Sequence, residues 1–457
     1  MASPQARGLL ARLLGSAVGH PVDLAVLRIG VFAMLLATRD LRTAPSFAAL
    51  SPSLRVPPEG LQAFAKLVPI NLQLAQCILA LVVIASACAL VGLYTRLAAA
   101  VAALGLLYLL GIPQLYGTVR HYHHLVWLAA LLAASPCGDA LSIDALRAVR
   151  RGVRVPSPSI AYGLPLRATW LLTGCIFFFA GYWKWRTSGL AWATSDNLVQ
   201  QMRWKWLQSG RVPFLRLDLH PRLASGFALL TMGFELSFPL ALFHKHTRAL
   251  ALFGALCFHA ATAYFMFIYF GSLLCLYAAF VPWHRWLAAP WQRLVARGDA
   301  SARGAIARAV TPSLLVASLL LVGAVQAGAR NAVQAWPFAC YPTFQWIVPD
   351  EMPVLELEGT DRQGHTWQLD DRPTSAAPDR ATIDRQRRWA LSWSLARAPR
   401  RDAIEGWIEL YETSDPRVGD ASALRVYRTM RAVDPAAWSA PPRSRTLLYE
   451  GTPTSWR

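Results

Sequence analysis

Nine runs of mostly apolar residues lie along this chain, near 22–41, 71–93, 97–115, 122–138, 167–186, 223–243, 247–265, 268–283 and 311–328. Each has roughly the 17 to 25 residues that an α-helix needs to cross a hydrocarbon core of about 30 Å. The seventh and eighth are so close that the chain must turn sharply around Phe267 to Gly271. With 55% hydrophobic and 16% charged residues, the composition exceeds what a soluble globular chain carries. The fold class expected is therefore an all-α polytopic membrane bundle of about nine spans. No short apolar stretch with a small-residue cleavage site precedes the first run, so that run reads as a retained span.

A net charge of +19 invites a nucleic-acid partner, but in a membrane protein the placement of Lys and Arg matters more than their sum, and no nucleic-acid partner is expected. The 139–166 connection holds Arg147, Arg150, Arg151 and Arg154. The 284–310 connection holds Arg285, Arg293, Arg297, Arg303 and Arg308, and the 244–248 turn holds Lys245 and Arg248. With nine spans these fall on one side with the N-terminus and its Arg7 and Arg12. That side is expected to be cytoplasmic, in a bacterial inner (plasma) membrane. The 187–222 loop, with Arg203, Lys205, Arg211, Arg216 and Arg222, dissents. Residues 1–21 then form a cytoplasmic segment, 22–329 the transmembrane domain and 330–457 a small extracytoplasmic soluble α+β domain. In that tail, 353–371 alternates apolar and polar positions around Gly364, a hairpin signal, whereas 379–398 and 420–433 read as helices. Six of the seven cysteines lie in or beside spans, and no disulfide framework is implied.

Ionisable groups at membrane depth cost several kcal/mol unless paired, hydrated or useful, so they are the natural candidates for chemistry. They are Arg28, Arg39 and Asp40 in the first span, His121, His123 and His124 at the head of the fourth, Lys184 in the fifth, Glu235 in the sixth and His259 in the seventh. Nine alternating spans put the four histidines and Lys184 in one leaflet. Lys184 is either a snorkelling residue between the interfacial anchors Trp183 and Trp185 or an unpaired base. In the second case desolvation disfavours its charged form. Glu235 either pairs with Arg28 or Arg39 or serves the site, and His259 either satisfies a backbone carbonyl or faces a ligand. The spacing i, i+2, i+3 does not stack the three clustered histidines on one helix face and no carboxylate lies nearby, so no metal is expected.

The segments "RHYHHLVWLAALLAASPCGDALSID", "IFFFAGYWKWRTSGLAW", "FELSFPLALF" and "ALFGALCFHAATAYFMFIYF", in that order, resemble the horizontally transferred transmembrane (HTTM) domain family, which includes the vitamin K-dependent γ-carboxylases. The resemblance covers about residues 20 to 290. Its most specific piece is a histidine-headed span ending in "SxD" followed by "AGxxK". It implies a carboxylase-type lyase reaction. A membrane lysine deprotonates a vitamin K hydroquinone, the quinol anion reacts with O2, and the base so formed takes a proton from a glutamate γ-carbon for capture by CO2. By that resemblance Lys184 is the catalytic lysine and His121, or His123 or His124 after a small slip, assists it. Vitamin K hydroquinone or a related quinol is the implied cofactor, and a glutamate-bearing protein or peptide is the implied partner, alongside membrane lipid. The rings of Phe177, Phe178, Phe179, Tyr182, Trp183 and Trp185, with His259, are the expected quinone-binding wall. A tail of about 125 residues stands where the carboxylases have a large luminal region. A non-catalytic membrane protein that binds a quinone or lipid, or assists maturation or export of a partner protein, is the alternative.

Overall fold

The computed structural model describes residues 18–57, 61–62, 66, 68–116, 121–153, 156–295, 310–333, 335–339, 343–369 and 380–453. Most of the expected N-terminal segment, and Arg154, Arg297, Arg303 and Arg308, lie outside them.

Among the described residues, six helices are long and apolar enough to span a bilayer. They are Leu72–Val91 (α3), Thr95–Leu109 with its 3-10 extension to Leu115 (α4), Ile160–Ser188 (α7), Pro221–Ala241 (α10), Lys245–Met266 (α11) and Val310–Ala329 (α13). A seventh comes from Pro21–Ala37 (α1) and Arg39–Ala48 (α2), bent by 50° at an extended Thr38. The other two candidates are shorter than expected. His123–Ala133 (α5) has 11 residues, about 16 Å of helix. Gly271–Phe280 is a 3-10 helix of 10 residues, entered through the left-handed Phe267 that ends α11. Apolarity specified both segments but not their regularity. α5 is enclosed by the bundle, with Leu125, Trp127 and Leu128 fully buried, and irregular backbone at its end is tolerated where protein satisfies it. Arg28 of α1 does so, donating from Nη1 to the Cys137 carbonyl at 3.0 Å and from Nη2 to that of Leu141 at 2.6 Å.

The helix ends segregate. At one end Gly19 pairs with Ser159, Asp23 accepts from the His284 backbone N–H at 2.8 Å, and Asp144 caps α4 through Tyr94, Thr95 and the Thr95 hydroxyl. Ser142 caps the helix Ile143–Arg150 (α6) by accepting from Ala145, so the "SID" triplet is a double cap. At the other end the tail meets the remaining connections. Trp389 donates to the Gln208 carbonyl in Asn197–Ser209 (α9), and Arg400 donates to the Ser53 carbonyl.

The tail is a four-stranded antiparallel sheet of order β2-β1-β3-β4, namely Glu351–Thr360 (β1), Thr366–Leu369 (β2), Ala423–Ala432 (β3) and Ser444–Gly451 (β4). Arg380–Arg397 (α14) and Arg401–Glu412 (α15) contribute Leu395, Ile404 and Trp407 to a core shared with Leu357 and Val426 of the sheet. The hairpin around Gly364 (φ 86°) is as read from the sequence. The expected helix at 420–433 is instead β3. Leu424 and Val426 bury one face while Arg425 pairs with Glu450 on the other, and registration against β1 outweighs the helix-forming tendency of Ala, Leu, Arg and Met.

Candidate functional site

The site begins with a glycine. A Cβ at Gly181 would lie 2.7 Å from the Glu235 Cβ and 3.0 Å from the Leu236 nitrogen, so only glycine lets α7 and α10 approach this closely. One turn further along α7, Lys184 Nζ then reaches both oxygens of Glu235, at 2.6 and 2.7 Å. The side chains are 4% and 2% exposed, so this is a buried ion pair and Lys184 does not snorkel. Nζ also lies 5.2 Å from the Trp192 ring in the short helix Ala191–Thr194 (α8). The expected partners of Glu235, Arg28 and Arg39, are not used: Arg28 caps carbonyls at the end of α5. The expected unpaired lysine is likewise replaced by a paired one. A cation in this apolar bundle lowers its free energy most by meeting the carboxylate on the facing helix.

The pair forms part of the wall of a cavity of about 1080 Å³, counted to its open mouth. The rings of Phe177, Trp192, Phe258, Phe270 and Phe344 supply flat apolar surface. Polar groups are few: Lys184 and Glu235, His259, Gln201 of α9, and Thr231, Thr262 and Thr343. His259 Nε2 is 2.6 Å from the Tyr277 hydroxyl, and its buried Nδ1 has no hydrogen-bond partner among the described residues. The Gln201 amide donates to the Trp346 carbonyl at 3.0 Å, Trp192 donates to that of Phe344 at 2.6 Å, and Asn197 accepts from Val348 at 3.0 Å. The 343–348 segment is thus fastened across one end of the cavity.

The clustered histidines divide. His121 stacks obliquely on Phe270 with ring centres 5.5 Å apart, and His259 packs on the same ring at 5.5 Å. His124 is hydrogen-bonded to the Ser272 backbone and lies within electrostatic reach of His121 and His259. His123 turns away toward Trp336, 4.8 Å between ring centres. His121 and His124 therefore stand behind Phe270, while His259 reaches the cavity itself. Among the described residues no cluster of three or more His, Cys, Asp or Glu has the arrangement of a metal site.

Of the aromatic residues expected as a quinone wall, Phe178, Tyr182, Trp183 and Trp185 do not line this cavity. Phe178 and Tyr182 stack on each other, Trp183 donates to the Gly328 carbonyl of α13 at 2.6 Å, and Trp185 is 51% exposed. The face of α7 that lines the cavity carries Ile176, Phe177, Ala180 and Lys184, the i, i+4, i+8 stripe that holds the lysine. Sequence reasoning missed Trp192, Gln201 and Phe344 as cavity residues. The recoverable signal was Glu235 in the apolar "MGFELSFPL" opposite a lone lysine behind a glycine.

A helical bundle with long apolar spans and a buried ion pair facing an aromatic cavity defines a polytopic integral membrane protein with an internal cavity. The family model described as the HTTM domain matches residues 20–285, more than half of the chain, and the protein belongs to that family. Compared with curated proteins and with solved structures, the chain matches none.

Proposed function

We propose that this HTTM protein binds a lipid-soluble hydroquinone of the vitamin K class in the α7–α11 chamber and deprotonates its hydroxyl through Lys184. The observation that carries this is a Lys–Glu pair set in the wall of an otherwise aromatic cavity. The donor set fits such a ligand, because Phe177, Phe258 and Phe270 match a flat ring and the Glu235 carboxylate is an acceptor for a hydroxyl. When bound, a hydroquinone supplies the oxygen-dependent redox chemistry that the family resemblance implies for carboxylation of a glutamate-bearing partner. The protein's own part is proton handling. In the proposed step Glu235, which holds Nζ through both oxygens, takes one Nζ proton and leaves a free amine. Nζ then accepts the next proton, and His259, supported by Tyr277, offers Nδ1 as a further station.

The same reading places nine crossings, with α5 and the Gly271–Phe280 helix as short inner ones. It places α6 in the cytoplasm and the tail outside. One observation favours a second reading: both Glu235 oxygens are engaged by Nζ, as in a purely structural pair, and a non-catalytic quinone- or lipid-binding protein would look the same. Purified protein in nanodiscs, supplied with reduced vitamin K and oxygen, separates them. Epoxide formation that disappears in Lys184→Met supports catalysis, whereas binding without turnover supports the second reading.

A further inference from the structure

Contacts among the described residues close the chamber on two sides. Toward the α6 end, α10 and α11 are locked together. A Cβ at Gly254 would lie 2.7 Å from the Phe234 ring, which packs on Phe258 with centres 6.4 Å apart. Toward the tail, the aqueous end is bridged. The Leu215 N–H donates to the Tyr264 hydroxyl at 3.0 Å, the Trp206 indole donates to the Phe265 carbonyl at 2.6 Å, and Arg211 lies 4.1 Å over the Phe267 ring. The 343–348 segment covers the α7–α9 rim.

Between these closures the two helices splay. Phe227, Thr231 and Glu235 form a stripe along α10, and Phe265, Ala261 and Phe258 form the facing stripe along α11, all lining the cavity. Phe227 is 44% exposed and Ala261 is also exposed, so the cleft opens to the outside of the bundle. The surface around it carries Leu223, Leu230, Phe253 and Leu256, which is the face a helix presents to lipid. From Phe227 to Glu235 is eight residues of helix, about 12 Å.

We infer that the α10–α11 cleft is a lateral portal from the bilayer, and that the ligand carries an apolar chain that stays in this cleft while its ring reaches Lys184 and Glu235. A route bounded only by Phe, Ala and Thr and facing lipid passes a hydrocarbon chain and excludes a hydrated one. The ligand class is thus a chain-bearing ring lipid. That class rests on the ring-binding reading above, whereas the portal does not.

Ala261→Trp fills the cleft without touching the ion pair. Its effect is measured by equilibrium binding in nanodiscs with two probes: a methylnaphthoquinone bearing an isoprenoid chain, and the same ring without the chain. Leu319→Trp, on the 63% exposed face of α13, is the control. The expected result is a loss of about tenfold or more in affinity for the chain-bearing probe in Ala261→Trp, because several methylene groups lose their seat. The bare ring should lose much less affinity than the chain-bearing probe in Ala261→Trp, and both probes should bind Leu319→Trp as they bind the wild type. Equal affinity of the chain-bearing probe for wild type and Ala261→Trp overturns the portal. Failure of the bare ring to respond to Lys184→Met, with the chain effect intact, overturns the ring-binding reading and leaves the portal standing.

Discussion

Lys184 and Glu235 show what a single residue can and cannot reveal in advance. Depth is legible, because a lysine and a glutamate in apolar runs must each find a partner. Which partner is not, since the azimuth of each helix depends on contacts such as that at Gly181. The same gap explains why Phe177, Tyr182 and Trp183 are expected together at the cavity, whereas only Phe177 of the three lines it. The pair also sets a stability expectation opposite to that for an unpaired base. Lys184→Ala strands a buried carboxylate and should cost about 3–5 kcal/mol, less whatever protonation of Glu235 returns. The double variant Lys184→Met with Glu235→Leu should be close to wild type, because it removes both desolvated charges. Denaturation in detergent compares them, and a Lys184→Ala protein as stable as wild type would show that the pair contributes nothing.

At the scale of elements, the apolar spans were legible from length alone, while α5 and the Gly271–Phe280 helix were legible as apolar but not as short. The irregular end of α5 depends on Arg28, which acts across more than 100 residues of sequence. β3 was missed because period-two burial in "ALRVYRTMRA" acquires meaning only beside β1. The α9 connection holds a testable electrostatic joint. Asp218 accepts from Arg216 at 2.7 Å and from Arg203 at 3.1 Å, and Arg203 also reaches Asp434 in the tail at 2.7 Å. Burial pushes the Asp218 carboxyl up, but these arginine hydrogen bonds outweigh it and hold the group below the usual carboxylate range. A carboxyl lowered on folding stabilises the native state above the unfolded value of about 3.9, and that stability is lost as pH falls through the folded value. The unfolding temperature should therefore fall steeply below about pH 4 in the wild type. It should fall less in Asp218→Asn, which has already lost the joint. Parallel pH profiles for the two proteins would remove Asp218 from the account.

For the whole molecule, the contacts sort the connections into two groups. The sequence-level charge map left one inconsistency between those groups, the cationic 187–222 loop. The structure gives most cations of that loop folded partners. Arg203 and Arg216 are spent on Asp218 and Asp434, Arg211 covers Phe267, and Lys205 sits 4.3 Å over the Trp204 ring. The run Arg147, Arg150 and Arg151 lies in the opposite group, where Arg150 and Arg151 keep no acidic partner in an ion pair among the described residues. The tail shares its side with Ser53 and Gln208, to which Arg400 and Trp389 are bonded, so its location follows that of the loop. Orientation thus reduces to one measurement. A phosphatase reporter fused after Arg330 should be active only when exported, and the same reporter fused after Arg151 should be inactive. A cytoplasmic reporter should give the reverse pattern at the two positions. Cytoplasmic-reporter activity at Arg330 would invert the whole assignment, moving the chamber mouth and the portal to the inner leaflet together, because the contacts tie them to the tail.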